Sequence, residues 1–311
     1  MGFPKHQLFL AFLVSSLIIA FPYIFFALPG IPAKVLALAV GILPPFGYFN
    51  LATPLNASGL YFPRFGLIGV LLMAVLIIMV YYRPGFLIVG LIIISTQFFM
   101  GRYSPAFNDN GWTPLSTTLG KSIRAEFDPQ ADYIAQGKIF SLIENQRSGG
   151  KFLLPESAAG RWTRACSRRW TRFVDKANVE VLIGTEFKSG GHLYNALVHL
   201  SPGNDPSFPY IQRLPVPWFM WRKGRFSRSR GLGTFTLDGK TWYAGLICYE
   251  AVIPICNMTI FFRSKNRVDA VFVVSNTYWS RSKSKFRNRL REVNRSWSLL
   301  FNTPYISAMN S

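Results

Sequence analysis

The placement of carboxylates constrains this chain most. All fourteen aspartates and glutamates lie at Asp109 or beyond, and the first 108 residues carry only Lys5, Lys34, Arg64, Arg83 and Arg102 as full charges. A segment of that length with so few charges does not make the water-facing surface of an ordinary globular domain. The whole chain is 50% hydrophobic and 15% charged, a mixture that fits one apolar part and one polar part. The expected division is a membrane domain over 1–104 and a soluble domain over 105–311.

Within the apolar part, the uncharged run Leu8 to Leu28 is long enough, at about 1.5 Å per residue, to cross a hydrocarbon core of roughly 30 Å. A cleaved signal peptide is the competing reading, against which stand the length of the run and its single preceding charge, Lys5. Phe65 to Tyr82 reads as a second span. "RPG" at Arg83 to Gly85 then interrupts before Phe86 to Met100 resumes, so these two segments read as a helical hairpin. Val35 to Phe49 is broken by "LPP" at Leu43 to Pro45 and reads as a span or a re-entrant segment. The expectation is about four transmembrane helices in a multi-pass protein, or three if Val35 to Phe49 does not cross. With four, Lys5, Arg64 and Arg102 share a side against Lys34 and Arg83, a three-to-two split that leans toward a cytoplasmic soluble domain.

The polar part holds 29 of the 34 basic residues and all 14 acids, a net of about +15. That excess calls for an acidic surface as partner, either anionic lipid headgroups or nucleic acid. "RRWTR" from Arg168 and "WSRSKSKFRNRLREVNR" from Trp279 interleave basic and aromatic residues in a way that suits either, and basic helices beside a membrane explain them at least as well as direct nucleic-acid binding. Three cysteines, Cys166, Cys248 and Cys256, do not make a disulfide framework, and without a CxxC or Cys/His cluster no metal or cofactor is expected.

Short β-rich runs recur between turn clusters from about residue 130: "KFLLPES" at Lys151, "VEVLIGTEF" at Val179, "LYNALVHLSPG" at Leu193, "WYAGLICYE" at Trp242 and "DAVFVVSNTYW" at Asp269. The runs around Cys248 and Val271 are apolar on both faces, the pattern of central strands covered on each side. Helical candidates alternate with them at Asp132 to Gln146, Ala165 to Ala177 and Lys285 to Phe301, so the class is α/β or layered α+β. Strand ends are where such sheets present reactive groups, and Glu156, Cys248 and "SNTYW" each follow a buried run. A thiol that attacks a carbonyl needs a base. His192 and His199 fall in one stretch, and His6 lies in the apolar part. Glu156, at a strand end among apolar residues that raise its pKa, is the better base. Free cysteine is also among the most commonly buried residues, so nucleophile and core thiol both stay open for Cys248.

The order of motifs "LLPESA", "VLIGTEF", "LYNALVHLSPG", "YIQRLPVP", "GLICYEAVIP" and "VFVVSNTYW" resembles the nitrilase (carbon–nitrogen hydrolase) superfamily across the soluble domain. With the preceding apolar segments it looks most like the apolipoprotein N-acyltransferase branch and, within it, the TraB-type conjugal transfer proteins. The resemblance implies an α-β-β-α sandwich with a Glu-Lys-Cys triad at one end of its strands. The family's general base falls on Glu156 and its nucleophile on Cys248. Glu250 matches an orienting acid, Tyr249 a backbone contributor to the oxyanion hole, and Asn276 and Trp279 a pocket-shaping "N-x-x-W". The family's lysine position is Gln212 here, with Arg213 beside it, which can hold an oxyanion but does not readily shuttle a proton. A second glutamate of the acyltransferases is replaced by "WFMW". The chain stops at "ISAMNS", where that family continues into a further strand and hairpin, so the domain closes differently or is short. The implied function is a membrane-anchored acyltransferase or amidohydrolase acting through a cysteine thioester in plasmid conjugation. Membrane lipid would be the acyl donor and conjugation proteins the partners, at the bacterial inner membrane with the soluble domain periplasmic. The alternative is an inactive scaffold of a conjugation or envelope assembly apparatus.

Overall fold

In the computed structural model the described residues are 20–43, 46–48, 53–99, 111–119, 128–146, 149–216, 233–264, 267–278 and 283–311, with a few isolated positions besides. The chain divides into two compact units. Unit 1 comprises Met1–Pro105 together with Val252–Met258 and Val293–Asn302; unit 2 comprises Ala106–Ala251, Thr259–Glu292 and Thr303–Ser311.

Unit 1 contains α1 (Ile31–Ile42), α2 (Gly66–Tyr82) and α3 (Phe86–Phe99). The expectation of about four transmembrane helices is corrected here. Among the described residues no single helix is long and apolar enough to cross a membrane. The 17 residues of α2 reach only about 26 Å. The helical turns over Pro54–Tyr61 and α2 together are long and apolar enough to cross, but only as a pair bent by 116°. The helices are short for a local reason. Leu43, ahead of two prolines, is extended at φ −81 and ψ 149, the conformation that a following proline imposes. "RPG" separates α2 from α3, and Arg83 at the break is again extended. Of Leu8 to Leu28, residues 8–13, 15, 18 and 19 lie outside the described residues, and 20–27 are helical.

The two late segments are tied into unit 1 by buried polar contacts. Asn56 donates Nδ2 to the Val252 carbonyl (3.0 Å) and accepts from Trp297 Nε1 (3.1 Å), while Gly59 N–H donates to Ser296 Oγ (3.0 Å). A Cβ at Gly59 would fall 1.7 Å from the Ser296 carbonyl oxygen, so only glycine permits this approach. On the outer surface Ile68, Leu71, Ile88 and Leu91 are all more than 60% exposed.

Unit 2 is built on two sheets. The first runs β1 (Trp112–Pro114), β2 (Lys151–Leu154), β3 (Glu180–Ser189), β4 (His192–Leu200) and β5 (Ser207–Ile211) in that spatial order, parallel from β1 to β3 and antiparallel beyond. The second runs β6 (Thr234–Thr236), β7 (Trp242–Ile247), β8 (Ala270–Asn276) and β9 (Tyr305–Asn310), with β7, β8 and β9 parallel. β7 and β8, apolar on both faces, are the buried parallel strands that their sequence calls for. Trp112, Leu153, Leu182 and Leu197 of the first sheet interdigitate with Tyr243, Ile247, Phe272 and Val274 of the second. On the other face of the first sheet, Ile139 and Ile143 of α4 (Pro129–Glu144) and Trp170 and Val174 of α5 (Arg164–Ala177) pack on Phe152, Leu154, Val181 and Ile183. The remaining helices are α6 (Pro254–Arg263) and α7 (Lys283–Phe301). The layered α/β sandwich agrees with the expected architecture; the membrane helices do not.

β3 runs hard against the loop that carries Glu156. A Cβ on Gly184 would lie 2.5 Å from both Glu156 Cα and the Pro155 carbonyl oxygen. Gly184→Ala is expected to lower stability by about 1–3 kcal/mol, the usual cost of overpacking. Urea unfolding measures it, and a change under about 0.5 kcal/mol would show that the loop gives way freely.

Candidate active site at the strand ends

Three parallel strands deliver the site. β2 ends at Leu154 and Glu156 follows through Pro155; β7 ends at Ile247 and Cys248 follows directly; β8 ends at Asn276. Cys248 sits at φ +52, a left-handed conformation for a non-glycine residue, where the chain leaves β7 and enters a 3₁₀ turn over Cys248–Val252. Such strain survives only where the surroundings enforce it, and it is concentrated at functional sites.

Glu156 is buried and held by three groups. Asn195 Nδ2 donates to its Oε1 (2.7 Å) and the Asn276 N–H to its Oε2 (2.8 Å), and its carboxyl is hydrogen-bonded to the Cys248 thiol. Burial raises its pKa against these donors, with the Glu250 charge adding to the rise. Burial also drives the Cys248 thiol well above its ordinary value, helped by the negative field and hydrogen bond of Glu156 and opposed by the backbone N–H groups of Asn276 and Tyr249. No cation figures among the strongest influences on either group. Both shifts disfavour the charged forms, and burial is the first cause of each.

Gln212, at the lysine position of the resembled family, is fully buried. It donates Nε2 to the Ile247 carbonyl (3.1 Å) and accepts from Asn195 Nδ2 (3.3 Å), so Asn195 links it to Glu156. Arg213, the next residue, is engaged elsewhere. Its Nε donates to Tyr210 Oη (3.3 Å) and its Nη1 to Thr259 Oγ1 (3.2 Å), and its Nε stands 3.9 Å from Glu250 Oε1. Glu250 is a buried clamp: Oε1 accepts from the Arg213 and Leu214 N–H groups (2.7 and 2.9 Å), and Oε2 from Tyr210 Oη and the Ile247 N–H (2.6 and 2.8 Å). The structure thus gathers Glu156, Cys248, Asn276, Gln212 and the Tyr249 N–H, and puts Arg213 with Glu250. Trp279 lies outside the described residues.

Sequence reasoning passed over Asn195, Tyr210 and Glu186. The signal for Asn195 was a lone amide inside the apolar strand "YNALV", which is costly unless it has a partner there. Glu186, which pairs in register with Asn195 across β3 and β4, is buried beside Ser157, whose hydroxyl donates to its Oε1 (3.5 Å). Burial lifts its pKa to about 7, against the Arg161 charge and with help from Glu156 and Asp132. Because the folded value exceeds the unfolded one, its stabilising contribution is complete below pH 4.5 and is lost as pH rises through about 7. Glu186→Gln is therefore expected to be more stable than the native protein near pH 8, by on the order of 3 kcal/mol at most, with no such gain near pH 4. Thermal unfolding at both pH values checks this; an equal effect at the two would exclude ionisation as the cause.

No family model matches the chain. It is 28% identical over 295 residues, covering 91% of its length and 68% of the relative's, to the conjugal transfer protein TraB of Agrobacterium fabrum. It is 25% identical over 290 residues to a probable conjugal transfer protein TraB of Sinorhizobium fredii, covering 89% of the chain and 72% of the relative. Among solved structures, a CN-hydrolase superfamily protein from Xanthomonas campestris superposes with a TM-score of 0.42 at 13% identity, covering 63% of this chain and 73% of the other. Along about nine-tenths of its length, then, the chain is similar to proteins named TraB, as its motif order implies.

Proposed function

We propose that unit 2 is a nitrilase-like acyl-transfer or amide-hydrolysing enzyme in which Cys248 is the nucleophile and Glu156 the base. The observation that carries this reading is the strained Cys248, turned at the end of β7 into hydrogen-bonding contact with a buried carboxylate. Cys248 Sγ attacks the acyl carbonyl as its proton passes to Glu156. Glu156 then protonates the leaving amine or alcohol, and a thioester remains on Sγ. An amine or water attacks the thioester, gives its proton to Glu156, and the departing sulfur takes that proton back. The Tyr249 N–H, which lies against the Cys248 thiol, steadies the oxyanion in this reading, and Asn195 and Asn276 hold Glu156 in position. Arg213 acts through Glu250 rather than on the substrate.

The names of the two relatives support a role in conjugal transfer. The exposed aliphatic face of unit 1 supports association with a membrane, and a lipid is then the natural acyl donor. One observation favours a second reading, a catalytically silent scaffold: Gln212 brings no charge where the family's chemistry uses a lysine.

Labelling of the native protein with an electrophilic acyl probe, followed by mass spectrometry, separates the two. Selective modification of Cys248 over Cys166 and Cys256, abolished in Glu156→Gln, is expected for the enzyme. Modification only after denaturation would establish the scaffold. Gln212→Lys adds a cation next to the pair and is expected to speed alkylation of Cys248 at neutral pH by about tenfold or more, since one pKa unit changes the thiolate fraction by that factor. No change would mean that the position does not sense the thiol.

A further inference from the structure

The "RRWTR" stretch plays no part in the Cys248 site, yet it lines a cavity of about 500 Å³ between α4 and α5. α5 turns Ala165, Arg168, Arg169 and Arg172 to one side, the i, i+3, i+4, i+7 spacing of a single helix face, and α4 offers Pro129, Asp132, Tyr133 and Gln136 at the same spacing. Cys166, Arg161 and Thr163 complete the lining. Arg169 is fixed in place. Its guanidinium lies 3.4 Å from the centre of the Tyr133 ring, and Nη1 donates to the Tyr133 carbonyl (2.7 Å) and to Gln136 Oε1 (3.2 Å), which are neutral acceptors. Arg168 and Arg172 are exposed and make no hydrogen bond or ion pair among the described residues. The lining thus sets four arginines against one carboxylate, Asp132, whose Oδ2 accepts the Arg161 N–H (3.2 Å).

Arginines at i and i+4 repel one another, and the one carboxylate on these two helix faces, Asp132, accepts from the Arg161 N–H. A planar guanidinium matches a phosphate with two parallel donors, and a group already held in place loses little freedom when it binds. The volume lies within the range of small-molecule pockets. We propose that this cavity binds a phosphate-bearing headgroup through Arg168, Arg169 and Arg172, supplied either by an anionic phospholipid or by a soluble phosphate ester. The site is separate from the Cys248 centre and does not depend on that centre being active.

The test uses the full-length protein in detergent with two probes: glycerol 3-phosphate in solution, and phosphatidylcholine vesicles with and without phosphatidylglycerol. Saturable binding of one probe is expected, weakened by roughly tenfold or more in the Arg168→Ser/Arg172→Ser double variant, the loss of charge-assisted hydrogen bonds. An Arg289→Ser/Arg291→Ser variant, which removes the same charge away from the cavity, is expected to leave binding intact. Preference for glycerol 3-phosphate identifies a soluble ester as the source, and preference for phosphatidylglycerol vesicles identifies a lipid. Equal weakening in the two variants would reduce the effect to general electrostatics and overturn the proposal. So would no saturable binding to either probe, or displacement of both by a single-stranded oligonucleotide.

Discussion

The carboxylate of Glu250 is the contact on which the site geometry rests. Fully buried, it takes four hydrogen bonds that join the end of β5, through Tyr210, Arg213 and Leu214, to the end of β7, through Ile247. Burial raises its pKa, and the Arg213 charge and these donors oppose the rise. A carboxyl group is tolerated in so buried a place because four donors engage its two oxygens. Its effect is local: the β7 chain is pinned one residue before Cys248 and again two residues after it. Between those anchors Cys248 is held in its left-handed conformation, with its thiol toward Glu156.

The electrostatics of the centre differ from those of a thiol–lysine pair. Asn195 and Gln212 form a neutral amide chain beside the pair, and burial raises the pKa of both the Cys248 thiol and the Glu156 carboxyl. In the proposed reaction the proton passes from Cys248 to Glu156, which makes the position of that carboxylate decisive. Asn276 N–H supplies one hold on it, and Asn276 is itself steadied by Asn310 of β9, which donates Nδ2 to Asn276 Oδ1 (3.2 Å) while its own Oδ1 accepts from Thr117. β9 thus reaches Glu156 through two asparagines.

Much of unit 2 was legible in the sequence. The apolar runs around Cys248 and Val271 marked β7 and β8, and the strand-end placement of Glu156 and Cys248 followed from where those runs stop. Helix starts were readable too: Asp128 and Thr163 cap α4 and α5 by accepting from backbone N–H groups. The apolar first third misled. Hydropathy counts residues whether or not a helix is continuous, so "LPP" and "RPG" left the helices shorter than the apolar runs suggest. That Val252–Met258 and Val293–Asn302 join unit 1 was invisible, because their link is a set of long-range hydrogen bonds through Asn56 and Gly59.

Residue order by itself determined the strands, their burial and the identity of a thiol and a carboxylate at strand ends, because each is a local matter of periodicity and breakers. Only the tertiary structure decided which polar side chains meet them. Gln212 and Arg213 are neighbours in sequence with opposite fates: Gln212 joins Asn195 beneath Glu156, and Arg213 goes to Glu250 and Thr259. Successive side chains of an extended segment point to opposite faces, and what waits on each face is set by other strands.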